Sequence, residues 1–227
     1  MILFLSAPIG EEISKAFAVL FLARFIDSSK RGFQIGFSVG LGFALLENMI
    51  YILNSLLAGE GAAISFVFTA ILRAIGSIPG HATWTAISGY AIGHYVVEKR
   101  WNKRSLGIFD KSKTHQDSQW ILFDNKSGQP MISSKTRKIP NLPRWLSAGK
   151  ESMIHITSNP IKATGVAVLS HAVWNGSLWS VSVLMQDASI VWQLIANMAT
   201  IFLLILVLWI ILRRLIPFAV LHDEHMT

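Results

Sequence analysis

Apolar residues run along this chain in long, nearly unbroken stretches, not in the alternating or one-faced patterns of a soluble domain. Four stretches, at about 1–25, 33–57, 163–186 and 190–212, are long enough to span the ~30 Å of a bilayer core, which takes about 20 helical residues. A fifth, from Ala62 to Val97, is longer and is interrupted by Ile78-Pro79-Gly80. It is expected to cross once, over about 75–97, with 62–74 shallow or re-entrant before the break. The pattern therefore predicts an all-α, polytopic transmembrane helix bundle of about five crossings plus one kinked or re-entrant segment. Only between 98 and 162 does the pattern become water-soluble in character. There Trp120 to Phe123, a polar turn at 124–128 and Met131-Ile132 suggest a small hairpin. Three segments follow: membrane helices over 1–97, a soluble insert over 98–162, and membrane helices over 163–227.

Composition supports the membrane reading, with 52% hydrophobic residues, 15% charged and a mean hydropathy of +0.48. Charge adds an orientation. The insert carries 13 Lys/Arg against 5 Asp/Glu, while the rest of the chain has 7 against 8. A basic connector marks the cytoplasmic side, and Arg24, Lys30, Arg31, Arg213 and Arg214 agree with that side. The connectors around Glu60 and Asp187 lack Lys and Arg and are assigned outside, as is the N-terminus. The first span opens at Met1 without a flank, which raises the expectation of earlier helices in a longer protein. It has no basic n-region and its centre is acidic, so it does not read as a signal peptide. No nucleic-acid motif is present, and the absence of cysteine excludes thiol nucleophiles.

What changes the picture is polarity inside the spans. Glu11, Glu12 and Lys15 sit in the first span, where each ionisable group costs roughly 2.5–3.5 kcal/mol on insertion scales. Glu11 and Lys15 are spaced to pair at i,i+4, with Glu12 about 100° away. The second span carries Glu47, with Phe43 and Tyr51 on its face. Small residues before it, Gly36, Gly40 and Gly42, permit close helix approach. The interrupted run supplies His81 directly after Pro79-Gly80, Arg73 as a countercharge or snorkelling cation, and His94 as a structural group. The fourth span places His171 and Asn175 one turn apart. At 1.5 Å per residue, Glu11, Glu47, His81, His171 and Asn175 all fall in one slab, roughly 9–18 Å below the outer face.

Carboxylates and histidines gathered in a dry pocket suit hydrolysis by two routes. Glu and His can remove a proton from water while a second His and an Asn hold the oxyanion. Alternatively, His81, His171, Glu12 and Glu47 are candidate ligands for a divalent metal such as zinc. The residues leave both routes open, and no cofactor is required by the pattern.

These residues also carry a resemblance. Glu11-Glu12-Ile13-Ser14-Lys15 resembles the EExxK motif of the PrsW family of intramembrane proteases, and Phe43 to Glu47 its FxxxE motif. Pro79-Gly80-His81 resembles its membrane histidine, and His171 to Asn175 its HxxxN motif. That family is similar in turn to the type II CAAX prenyl endopeptidases. The resemblance implies a peptidase of the prokaryotic cell membrane, acting on a membrane protein or membrane-associated peptide. It further implies that Glu11 or Glu12 activates water with His81, that His171 and Asn175 hold the oxyanion, and that Glu47 assists. Two other classes compete: a non-catalytic scaffold or chaperone on the same fold, and a proton-coupled transporter. No internal repeat with paired broken helices supports the last.

Overall fold

The computed structural model describes residues 3–57, 59, 61–105, 122–123, 130–131 and 154–221. Six α-helices account for nearly all of them. Helix α1 (Leu3–Phe21) leads through a 3₁₀ turn (Ala23–Phe25) into α2 (Ser29–Ser55). Then come α3 (Ala62–Leu72), a π-helical turn (Arg73–Ser77) and α4 (Ile78–Ser105). The chain closes with α5 (Pro160–Leu184) and α6 (Ile190–Leu221). The hairpin expected in the insert is present as β1 (Leu122–Phe123) antiparallel to β2 (Pro130–Met131), with Leu122 opposite Met131. The remainder of the insert lies outside the described residues.

Local chemistry sets the helix starts. The Ser28 hydroxyl accepts from the Arg31 amide at 3.1 Å, capping α2. The Asn159 carboxamide oxygen accepts from the amides of Ile161 and Lys162 ahead of α5, whose first residue is Pro160. Gly61, at φ +95°, lets the chain turn sharply into α3.

The run from 62 to 105 departs from expectation. It is one continuous helical path, with no break at Ile78-Pro79-Gly80. The disturbance imposed by Pro79 is absorbed by the wide turn at Arg73–Ser77, which keeps the backbone hydrogen-bonded inside the bundle. Within α4 the Pro79 carbonyl accepts the Thr83 hydroxyl at 2.6 Å. Helix α4 also extends to Ser105, past the expected start of the insert at 98.

The closest packing is between α2 and α4. A Cβ at Gly36 would collide with the Thr85 carbonyl oxygen, and one at Gly40 with that of His81. Opposite them, a Cβ at Gly89 would sit 2.8 Å from the Gly36 Cα. Small residues on both helices thus let the backbones touch, the usual means of holding helices together in lipid. Apolar clusters flank this seam, one around Phe33, Tyr90 and Leu215, the other around Val19, Ile26 and Ile92. Arg100 ties the α1–α2 connection to α4 by donating to the carbonyls of Ile26 and Ala23. The outer surface is apolar: Phe17, Leu46, Ile50, Trp192 and Leu203 are all exposed. Among the described residues, Ser29–Ser55, Ala62–Arg100 and Ile190–Pro217 are long and apolar enough to cross a membrane. The chain is an α-helical membrane bundle whose polar groups point inward.

Candidate active site

The ionisable groups of four helices meet at one place. Glu12 and Lys15 on α1, His81 on α4 and His171 on α5 are each no more than 3% exposed. Lys15 Nζ donates to Glu12 Oε1 at 2.8 Å, lies 2.7 Å from His81 Nδ1, and sits 3.9 Å over the Phe43 ring. Its distance to Glu11 Oε2 is 3.5 Å. The sequence spacing pairs Lys15 with Glu11, but the shorter contact is with Glu12. Both carboxylates are within reach of a four-carbon side chain, and the one turned into the bundle wins because it has no water to lose to.

Each histidine is oriented by a carboxylate. An ammonium group can only donate, so His81 Nδ1 is an acceptor and its Nε2–H points the other way, to Glu47 Oε2 at 3.0 Å. His171 Nδ1 lies 3.0 Å from Glu12 Oε1 and therefore carries the proton of that bond. The rings stand edge to face at 4.7 Å, and Trp84 stacks on His171 at 4.5 Å. Glu47 Oε2 also accepts from Arg73 Nη2 at 2.8 Å, which settles Arg73 as a partner of the carboxylate and not a snorkelling cation.

Above the buried groups lies a cavity of about 210 Å³, lined among others by Glu11, Glu47, Arg73, His81, His171 and Asn175. The structure thus brings together all six residues singled out from the sequence. Asn175 and His171 reach the same cavity from α5, as their one-turn spacing requires. Glu12 lies behind the lining, while Glu11 faces the opening with its side chain 22% exposed. Sequence reasoning missed Asn48 and Ser77. Asn48 Oδ1 accepts from Arg73 Nε at 2.6 Å and from Ser77 Oγ at 3.0 Å. An Asn beside Glu47 within an apolar span, and a Ser one turn after Arg73, were the available signals.

A metal would find suitable donors. Glu11, Glu12, His81 and His171 each offer a ligand atom, all within 4.8 Å of one another. Glu11 Oε2 and Glu12 Oε2 are buried without hydrogen-bond partners, and the mixed nitrogen and oxygen set suits zinc. Glu47 does not belong to this group. It stands one layer out, on the far nitrogen of His81, where carboxylates orient metal-ligating histidines.

Fold and site together define a helical membrane protein with a carboxylate–histidine centre sunk between its helices. A family model described as "PrsW family intramembrane metalloprotease" matches residues 1–112. Protease PrsW of Geobacillus kaustophilus (strain HTA426) is 36% identical over 129 residues, covering 53% of this chain and 51% of that protein. Over this first half the chain is similar to the PrsW family. It spans about half the length of the curated relative it matches. The family match takes in Glu11, Glu12, Glu47 and His81 and stops short of His171 and Asn175. No solved structure matches the chain.

Proposed function

We propose that this protein is an intramembrane protease that hydrolyses a peptide bond of a membrane protein or membrane-associated peptide with Glu-activated water. The observation that carries the reading is the inward convergence of Glu11, His81, His171 and Asn175 on one cavity, with Glu12 directly behind it, inside a bundle whose outer surface is apolar. A structural ion pair would need one carboxylate and one cation. Here three carboxylates and two histidines are held in fixed geometry, and two buried carboxylate oxygens are left without hydrogen bonds.

Roles follow from the contacts. Glu12 Oε1 is already engaged by Lys15 and His171, so Glu12 serves as an anchor that sets the two rings. Glu11, at the cavity wall with Oε2 free of hydrogen bonds and only 3.5 Å from the Lys15 ammonium, is the general base. It takes one proton from water as the water oxygen bonds to the scissile carbonyl carbon. Asn175 faces the same cavity and donates its carboxamide N–H to the oxyanion, joined by His171 Nε2–H when that ring is doubly protonated, its Nδ1–H staying on Glu12. Collapse of the tetrahedral adduct breaks the C–N bond, and Glu11 returns its proton to the leaving amine. In the alternative route a divalent ion such as zinc, held by Glu12, His81 and His171 with Glu11 kept as the base, would supply Lewis acidity in place of the His171 donor.

The topology belongs to the same proposal. Helices α1 and α5, which carry the first and last motifs, join the three long apolar helices to make five crossings. The basic insert 98–162 is cytoplasmic and Asp187 lies outside, on the strength of the Lys/Arg distribution. The test is cleavage of a library of membrane-embedded peptides by the purified protein, with and without chelator. Cleavage lost in the Glu11→Gln/Glu12→Gln variant supports the reading. A folded wild type that cleaves nothing in the library argues for the scaffold alternative.

A further inference from the structure

Arg73 does not touch the carboxylate pair, yet its guanidinium is held on three sides. Its guanidinium donates from Nε to Asn48 Oδ1 at 2.6 Å and from Nη2 to Glu47 Oε2 at 2.8 Å, and lies 3.8 Å over the face of Tyr51. Ser77 donates to the same Asn48 oxygen at 3.0 Å and so braces it. Both donating edges and one face of the guanidinium are therefore occupied by α2, the helix that carries Glu47.

The π-helical turn explains how one helical path presents both Arg73 and His81 to Glu47. Eight residues separate them, which in an unbroken α-helix would put their side chains about 80° apart. A π turn absorbs one extra residue, so the effective separation is seven residues, or about 20°. Arg73 and His81 then share a face, and both contact Glu47 Oε2, at 2.8 Å and 3.0 Å.

We infer that Arg73 is a positioning residue: by pinning the Glu47 carboxylate it holds His81 with Nε2 protonated and the Nδ1 lone pair turned toward Glu12 and Lys15. Lys15 selects the same form from the opposite side of the ring. The two differ in what they can enforce. Lys15 needs only an acceptor, whereas Glu47 must keep a fixed direction, and Glu47 is half-buried beside the cavity. Without Arg73 its carboxylate can swing into that cavity and leave Nε2–H without an acceptor. The role in turnover rests on the hydrolytic reading above; the role in fixing the ring does not.

The experiment uses the full-length protein in detergent or nanodiscs with Arg73→Met, Arg73→Lys and Arg73→Ala. For a cleaved peptide, Arg73→Met lowers kcat by about 10–100-fold, the usual range for losing an orienting partner, and leaves KM within about twofold. Arg73→Lys, which keeps the charge but not the fork to Asn48 and Glu47, recovers only part of that loss. Guanidinium ion at millimolar concentration rescues Arg73→Ala through the open cavity, and ammonium does not. Nitrogen-15 NMR of labelled histidine, read against a His81→Gln spectrum, shows His81 as the Nε2–H form in wild type and a mixture in Arg73→Met. An Arg73→Met protein with unchanged kcat, a loss confined to KM, or an unchanged His81 spectrum overturns the inference. Wild-type protein that cleaves nothing removes the hydrolytic reading, and the NMR comparison then decides the positioning role by itself.

Discussion

Replacing Lys15 with methionine keeps most of the side-chain volume and removes the ammonium from the centre of the bundle. Glu12 Oε1 would keep His171 Nδ1 at 3.0 Å and lose its donor at 2.8 Å, and His81 Nδ1 would lose the donor at 2.7 Å. Glu12 is 1% exposed, so no bulk water replaces what is lost. Removing one partner of a buried ion pair is destabilising by about 3–5 kcal/mol, because the other charge stays behind. For a chain of this size each kcal/mol shifts the midpoint by about 2–4 °C, so the unfolding temperature should fall by roughly 6–20 °C. Glu12→Gln should lose less, since Lys15 retains His81 and the Glu11 carboxylate at 3.5 Å. In the double variant Lys15→Met/Glu12→Gln no charge is stranded at that pair. It should therefore be more stable than the sum of the single losses implies, by at least about 2 kcal/mol of coupling. Thermal unfolding in micelles can be followed by tryptophan fluorescence, to which Trp84, stacked on His171, reports from within the site. A loss below about 1 kcal/mol for Lys15→Met, or strictly additive losses in the double variant, would refute the claim that Lys15 neutralises this centre.

Three further outcomes follow from the same geometry. In the cleavage assay Glu11→Gln/Glu12→Gln should abolish activity, Asn175→Ala should retain a residue after a loss of about 10²–10³, and half-buried His94→Ala should be nearly neutral; equal losses in all three would undo the assigned roles. Gly36→Ala should destabilise by about 1–3 kcal/mol, because its Cβ would collide with the Thr85 carbonyl and force α2 and α4 apart; Gly42→Ala, where a Cβ meets nothing within 4 Å, is the matched control. Cysteines at Ser127 and Ser189, probed in intact cells with an impermeant thiol reagent, should label only at Ser189. Labelling at Ser127 alone would reverse the topology.

The membrane class and its helices were legible in the sequence because burial in lipid imposes a one-dimensional rule. About 20 apolar residues make a span whatever surrounds them, and the runs at 33–57 and 190–212 became α2 and α6. The candidate residues were legible for the converse reason. Ionisable groups are so unfavourable in hydrocarbon that Glu11, Glu12, Glu47, His81 and His171 stood out against their neighbours. Spacing alone could also place His171 and Asn175 together, since one helical turn is a local property.

Partnerships across helices were a different matter. Spacing joined Lys15 to Glu11, yet the bundle turns its ammonium to Glu12 and His81, because the distance to a neighbouring helix enters no sequence rule. The metal-competent group contains Glu11 in place of Glu47 for the same reason: Glu47 is drawn outward by Arg73. Two tertiary features govern these choices. The glycine seam brings α2 and α4 into backbone contact and fixes how near Glu47 stands to His81. The π turn at Arg73–Ser77 rotates one half of a long helix against the other, so that Arg73 and His81 meet the same carboxylate. A chain read residue by residue specifies which groups must leave the lipid; only the packed distances and the phase of each helix decide which of them touch.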